Sequence, residues 1–268
     1  MKKNQKTKVK GVNSSSMIML ACLALAIAIY YFIFGNPSNF VNNDPNNHPL
    51  DGNLLGTIYK GGFIVPLIQT LLLTVLALSV ERFIALKKSE GKGNLTLFVH
   101  NINSALSSGN ITLAKDICSK QEGSVGNVVA SALVKYEQVE TDTELQKEQK
   151  VIAIQKEIEE ATALELPMLS QNLPIIATIT TLGTLMGLLG TVIGMIRSFA
   201  SLAGAGGTDS IALSQGISEA LINTAFGIAT GALAVVSYNY FTSRIDSITY
   251  CIDEIGFSIV NTFAASHK

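Results

Sequence analysis

The stretch Ile211-Ala-Leu-Ser-Gln-Gly-Ile-Ser-Glu-Ala-Leu-Ile-Asn-Thr-Ala-Phe-Gly-Ile-Ala-Thr-Gly-Ala-Leu-Ala-Val-Val-Ser-Tyr-Asn-Tyr-Phe241 decides the fold. It carries one charged residue, Glu219, in an apolar run longer than the roughly 20 helical residues that cross a hydrocarbon core of about 30 Å. With Asp209 as the helix N-cap, Glu219 sits about 15 Å inside at about 1.5 Å per residue, near mid-membrane. An ionised, unpaired acid at that depth is costly. Such residues face a bundle interior or a water cavity and mark an ion path or proton relay; the plainer alternative is a protonated acid bridging two helices. At about 100° per residue, Gln215, Asn223, Thr230 and Ser237 project within about 40° of Glu219 and form one polar edge. Gly227 and Gly231, with Gly216 and Ala220, make a small-residue side about 60 to 120° away.

Outward from this stretch, charges are absent from 11–34, 61–80 and 166–196. Of the 268 residues, 48% are hydrophobic and 15% charged, against about a quarter charged in an average soluble domain. The expected fold is therefore all-α: a polytopic membrane protein with four transmembrane helices, at 17–34, 63–86, 175–199 and 211–241, and long cytoplasmic helices. Lysine and arginine set the orientation. Lys2, Lys3, Lys6, Lys8 and Lys10 form a basic tail at 1–16 and further basic residues concentrate in 87–174, whereas 35–62 holds only Lys60 and 200–210 none. Both termini, the 87–174 helical segment and a C-terminal helix at 242–268 are expected in the cytoplasm; 35–62 is expected as an exported irregular loop rich in turn formers, and 200–210 as an exported turn.

The first span follows a basic n-region but lacks a small-x-small cleavage site after Phe34, so it reads as a signal anchor rather than a removed leader. In the cytoplasmic segment, apolar residues recur at three- and four-residue spacing over 95–106, 111–120 and 125–139, punctuated by Gly109 and Gly123. A charged helix from about Thr141 runs on into the third span, with Pro167 and Pro174 expected to kink or interrupt it.

The third span carries two stripes. Gly183, Gly187, Gly190 and Gly194 fall within about 60° of arc, a small-xxx-small pattern that lets helices approach closely. Thr180, Thr184, Thr191 and Ser198 cluster within about 40° beside it. These hydroxyls either back-bond to their own helix or line a track that holds water. Arg197 is expected to snorkel to the interface, with Asp209 as an alternative partner.

At these residues the chain resembles the MotA/TolQ/ExbB proton-channel family. The strings Gly187-Leu-Leu-Gly-Thr-Val-Ile-Gly-Met-Ile196 and Gly216-Ile-Ser-Glu-Ala-Leu-Ile-Asn-Thr-Ala-Phe-Gly227 look like its two signature transmembrane segments. A weaker likeness reaches Glu81-Arg82-Phe83 and the 104–118 helix pair, and the whole covers roughly 63–260. The Glu-Ala-Leu string, with a threonine five residues after its acid, is similar to ExbB and TolQ more than to MotA, and most similar to ExbB. The resemblance implies a proton pathway at Glu219, Thr191 and Thr224, with Asn223 beside it, and protons as the coupling ion without another cofactor. It further implies a homo-pentamer in the inner membrane of a Gram-negative-type bacterium, around an ExbD-like single-span partner with an intramembrane Asp. The implied work is done on a TonB-like protein for outer-membrane uptake. Two departures stand out: Thr184 replaces the family's usual proline, and the 17–34 span precedes the usual three. Thr224 lies about 140° from Glu219 on an ideal helix and does not share its narrow face.

Other classes find little support. A TolQ-like envelope or gliding-motility stator and a non-conducting membrane scaffold remain as alternatives. A formal charge of −1 excludes a nucleic-acid binder with a basic excess. Cys22, Cys118 and Cys251 are widely spaced without a CxxC or Cys/His cluster, so neither a disulfide scaffold nor a metal site is expected. His48, His100 and His267 are isolated, and no Walker loop, GxSxG or dinucleotide fingerprint indicates an enzyme.

Overall fold

The computed structural model describes residues 11–204 and 210–266. The chain is an all-α polytopic membrane protein: among the described residues there is no strand, and the Phe40–Pro49 bridge is isolated. Four helices are long and apolar enough to cross a membrane. In chain order the helices are α1 (Gly11–Ile29, continued by a π turn Tyr30–Phe34), α2 (Leu54–Tyr59), α3 (Ile64–Glu90), α4 (Leu95–Ser107), α5 (Ile111–Gln121), α6 (Gly123–Thr141), α7 (Lys147–Leu169), α8 (Leu173–Gly204) and α9 (Ser210–Ser266). They divide into two compact units, one from residues up to 80 and 172–239, the other from 81–171 and 240 onward.

The first unit holds α1, the 35–62 connection, most of α3, α8 and the first half of α9. Its core is small: Ile64, Val65, Ile68, Val75, Leu78, Ile176 and Ile179 are buried, while Leu185, Leu188, Ile196, Leu221, Ile228 and Val236 stay exposed. An apolar surface of this kind suits lipid or further helices rather than water. The Ser15 hydroxyl donates to Asn172, tying the start of α1 to the turn before α8.

The 35–62 connection is more ordered than its turn-rich composition suggests. Its asparagines act as local acceptors and donors: Asn36 caps the turn Pro37–Asn39, buried Asn39 donates to the carbonyls of Ile33 and Phe34, and Asn53 caps α2. Tyr59 stacks on Tyr30 at 4.7 Å and meets Phe40 edge-on at 5.5 Å. The Tyr30 hydroxyl donates to the Tyr59 carbonyl at 2.9 Å, so the connection folds back onto the end of α1.

The second unit packs α4 to α7 with the C-terminal half of α9. Asn94 and Asn110 cap α4 and α5, and Gly109 and Gly123 take positive φ at the turns, as their placement in the sequence suggests. Apolar faces at Phe98, Ile102, Leu133, Ile154, Ile252, Ile259 and Phe263 fill its interior. Arg82 is 1% exposed; it is held by Glu81 and donates to the Met168 carbonyl at 3.1 Å, satisfying an orphan carbonyl at the end of α7.

Three boundaries differ from the sequence expectation. The charged helix begins at Lys147, where Gln146 and Gln149 form a reciprocal cap, and not at Thr141. It does not run into the third span: the chain breaks at 170–172, where Asn172 takes φ 65°. Pro167 is accommodated in the last turn of α7, and Pro174 lies in the first turn of α8, where its missing N–H leaves no helical acceptor unmet. Third, α9 continues without a break past Phe241 to Ser266, so no separate C-terminal helix forms. The Asp209 cap and the turn before it lie outside the described residues.

Candidate functional site

The site is built on the seam between α8 and α9, where two antiparallel helices meet backbone to backbone. A Cβ placed on Gly183 would stand 3.0 Å from the Gly231 nitrogen, on Gly187 3.0 Å from the Gly227 Cα, and on Gly194 2.9 Å from the Gly216 carbonyl oxygen. In the other direction, a Cβ on Gly227 would lie 2.6 Å from the Gly183 oxygen and one on Gly231 2.9 Å from the Thr180 oxygen. Gly190 leaves the room that the Asn223 side chain fills. The two glycine stripes read from sequence therefore face each other. Such contact requires residues without side chains, because backbone atoms cannot step aside.

The hydroxyls beside the seam divide into two kinds. Thr180 and Thr184 donate to carbonyls of their own helix, at Ala177 and Thr180, as back-bonding predicts. Thr191 reaches across: its hydroxyl meets that of Thr224, and each also lies within 3.4 Å of carbonyls of both helices, Gly187 and Ala220. Ser198 is buried, donates to the Gly194 carbonyl at 3.0 Å and lies 3.5 Å from the Leu213 carbonyl.

Glu219 takes a different partner. Its carboxylate is 3.4 Å from the Arg197 guanidinium, with the glutamate side chain 20% and the arginine 51% exposed. Among the described residues no hydrogen bond joins Glu219 to either threonine, so the polar positions form two pairs, Thr191 with Thr224 and Glu219 with Arg197. This agrees with the wide angle between Glu219 and Thr224 on α9. One turn further along, Asn223 is 2% exposed; its amide donates to the Gly61 carbonyl at 2.9 Å while its carbonyl oxygen Oδ1, also buried, has no partner. Gln215 contacts His48, and Thr230 back-bonds to Phe226.

The sequence reading missed the role of residues 48–62. Lys60 donates to the carbonyls of Pro45 and Asn46 at 2.9 and 3.1 Å. Burial lowers its pKa from the ordinary lysine value, opposed by the fields of Glu219 and Asp44. Gly62, at φ 75°, sits where a Cβ would come within 3.2 Å of the Arg197 Nη1. Arg197, expected at the interface, pairs with the partly buried Glu219; the signal lay in its placement three residues beyond Gly194, at the level where α8 meets Gly216 and Ala220. Nothing local marked the docking of Gly61 onto Asn223. Cys22, Cys118 and Cys251 are all free thiols, and among the described residues no three His, Cys, Asp or Glu side chains converge in a metal-binding group.

Residues 123–254 match the model of the MotA/TolQ/ExbB proton channel family. The ExbB-like 3 biopolymer transport protein of Synechocystis sp. is 39% identical over 88 residues, covering 32% of this chain and 42% of that protein. The Tol-Pal system protein TolQ of Haemophilus influenzae is 36% identical over 84 residues, 31% of this chain and 37% of its own. The biopolymer transport protein ExbB of Salmonella typhimurium is 34% identical over 85 residues, 32% and 35% respectively. The chain thus spans about two fifths of the length of the relatives it matches. Over the stretch that holds the glycine seam, Glu219 and both threonines, this chain is similar to the MotA/TolQ/ExbB proton channel family.

Proposed function

We propose that the protein is an ExbB-like subunit of an inner-membrane, proton-driven motor. A homo-pentamer surrounds an ExbD-like single-span partner with an intramembrane aspartate, and its work drives a TonB-like protein in outer-membrane uptake. The observation that carries this reading is the acid at the α8/α9 seam: Glu219, held by Arg197, with the Thr191–Thr224 hydroxyl pair across the same seam. Protons are the coupling ion, entering from the periplasm past Asn223, Glu219 and Thr191 and leaving to the cytoplasm, where both termini lie by the lysine and arginine count.

The chemistry of each residue fits that role. A carboxylate accepts and releases a proton, and two facing hydroxyls each donate and accept, so the threonine pair relays a proton without net charge of its own. Thr180, Thr184 and Ser198 spend their hydroxyls on backbone carbonyls and act in packing, together with the seam glycines. The exposed apolar faces of α8 and α9, at Leu188, Ile196, Leu221 and Val236 among others, are what lipid or sister subunits would cover. About 2.3 kcal/mol per elementary charge per 100 mV is enough to bias a rotation or a piston step of the partner.

Substitution tests the reading. Glu219→Ala and Glu219→Gln are expected to abolish siderophore or vitamin uptake in cells at normal protein levels. Unimpaired uptake in both would favour a non-conducting scaffold. A second reading has its own support: TolQ relatives match about as well as ExbB relatives, so a Tol-Pal-type or gliding-motility stator is the alternative. Loss of envelope constriction or of gliding, with uptake intact, on deletion of the gene would select it.

A further inference from the structure

The polar edge of α9 is occupied from outside that helix on either side of its acid. One turn before Glu219, Gln215 meets His48 of the 35–62 connection; one turn after it, the buried Asn223 amide donates to the Gly61 carbonyl at 2.9 Å. Between the two contacts Glu219 pairs with Arg197, whose Nη1 would stand 3.2 Å from a Cβ on Gly62. The connection thus touches the edge at both flanks of the acid and backs the arginine that holds it. Resting on the proton-pathway reading, we propose that α1 and the 35–62 connection form a lid: docked on α9 they close the approach to Glu219, and the pathway opens when the connection lifts off.

The docked contact is only half satisfied. Asn223 spends its amide N–H on Gly61, while its Oδ1 is buried without a partner. Lifting the turn exposes the Gly61 carbonyl and both ends of the Asn223 amide to water, so the broken bond is replaced and the orphaned oxygen gains a donor. The His48 contact with Gln215 is already exposed and exchanges for water at little cost. The chain on the far side of these contacts is built to move as a body. Tyr59 stacks on Tyr30 at 4.7 Å and accepts from its hydroxyl, so the connection travels with the end of α1. Between α2 and α3 stand Gly61 and Gly62, the latter at φ 75°, a pair that can absorb a change of direction. The α1 span is also the least buried of the four, at 17% against 28 to 39% for the others, and elements with few buried contacts open at the lowest cost.

The experiment uses the full chain in proteoliposomes under an imposed potential of about 100 mV, negative inside, with proton entry read by a pH dye. His48→Ala removes a docking contact without touching Glu219 or the threonine pair. It is expected to raise proton entry about fivefold or more over wild type, the lower end of a usual conformational coupling. A second variant, His48→Cys with Gln215→Cys, makes the lid reversible. Reduced, it should conduct like His48→Ala; with diamide, which takes up both thiol hydrogens as the disulfide forms, it should fall to the wild-type rate or below and recover on reduction. Each single cysteine variant should ignore diamide. Proton entry unchanged or lowered in His48→Ala, with the wild-type rate still abolished by Glu219→Gln, overturns the lid and leaves the pathway reading standing. A disulfide verified by mass that leaves the rate of the double variant unchanged also overturns the lid alone. A rise in His48→Ala that survives the addition of Glu219→Gln overturns the pathway reading, and the lid over it.

Discussion

The two halves of α9 pack by opposite rules. From Gly216 to Gly231 the helix meets α8 through bare backbone, with glycine against glycine and small residues on either side. In its C-terminal half, Ile248, Ile252, Ile255, Ile259 and Phe263 are each buried at 1% exposure or less among the side chains of the second unit. The first packing is intolerant of addition and the second of removal. In a lipid phase apolar side chains gain nothing from leaving water, so close backbone approach carries helix association; where water surrounds the bundle, buried apolar area does.

The largest expected effect is a removal. Phe263→Ala deletes a ring that is fully buried and edge-on to Tyr136 at 4.9 Å, and is expected to destabilise the second unit by about 3–5 kcal/mol, read from chemical denaturation in detergent. A loss below 1 kcal/mol would mean the bundle is not held by side-chain burial. Addition at the seam comes next. Gly227→Ala puts one carbon 2.6 Å from Gly183 and Gly187 backbone atoms, which cannot turn aside, so a cost of about 1–3 kcal/mol is expected despite the gain in helix propensity. Gly256→Ala is its control on the same helix. There the new carbon meets Ile158 side-chain atoms at 3.1 and 3.4 Å, which can shift, and the net change should stay within about 1 kcal/mol. Equal costs at Gly227 and Gly256 would erase the distinction between the two packings.

The smallest effect concerns Cys118, whose buried thiol is pushed up from 9.0 to about 12, chiefly by desolvation. Above about pH 9 the unfolded thiol ionises while the folded one keeps its proton, so the folded state binds more protons and stability falls with rising pH. The contribution is fully present below pH 9 and lost progressively toward pH 12. Cys118→Ala should flatten that part of a pH titration of unfolding; an unchanged slope would show that the thiol is not the titrating group.

Much of the molecule was legible in its sequence. The four apolar helices, the turns at Gly109 and Gly123 and the two glycine stripes all appear where local pattern put them, whereas the caps at Asn94 and Asn110 came only with the structure. The 35–62 connection was underestimated, because asparagines that spell loop by composition here close turns and cap α2 through specific side-chain bonds. The helix boundaries near Thr141, Asn172 and Phe241 also shifted, since capping geometry and packing decide where a charged helix starts and stops, and neither is periodic.

What the sequence alone determined is what depends on neighbours three or four residues away: helicity, the apolar spans, and the arcs of glycine and hydroxyl. What only the tertiary structure decided is which group each of these meets. Arg197 is Glu219's partner, Thr191 finds Thr224, and Gly61 seats Asn223 because the register of α8 on α9 and the return of the connection from α1 bring them together. Those registers come from contacts between residues far apart in the chain, whose energies sum over the whole seam, and no local pattern records them.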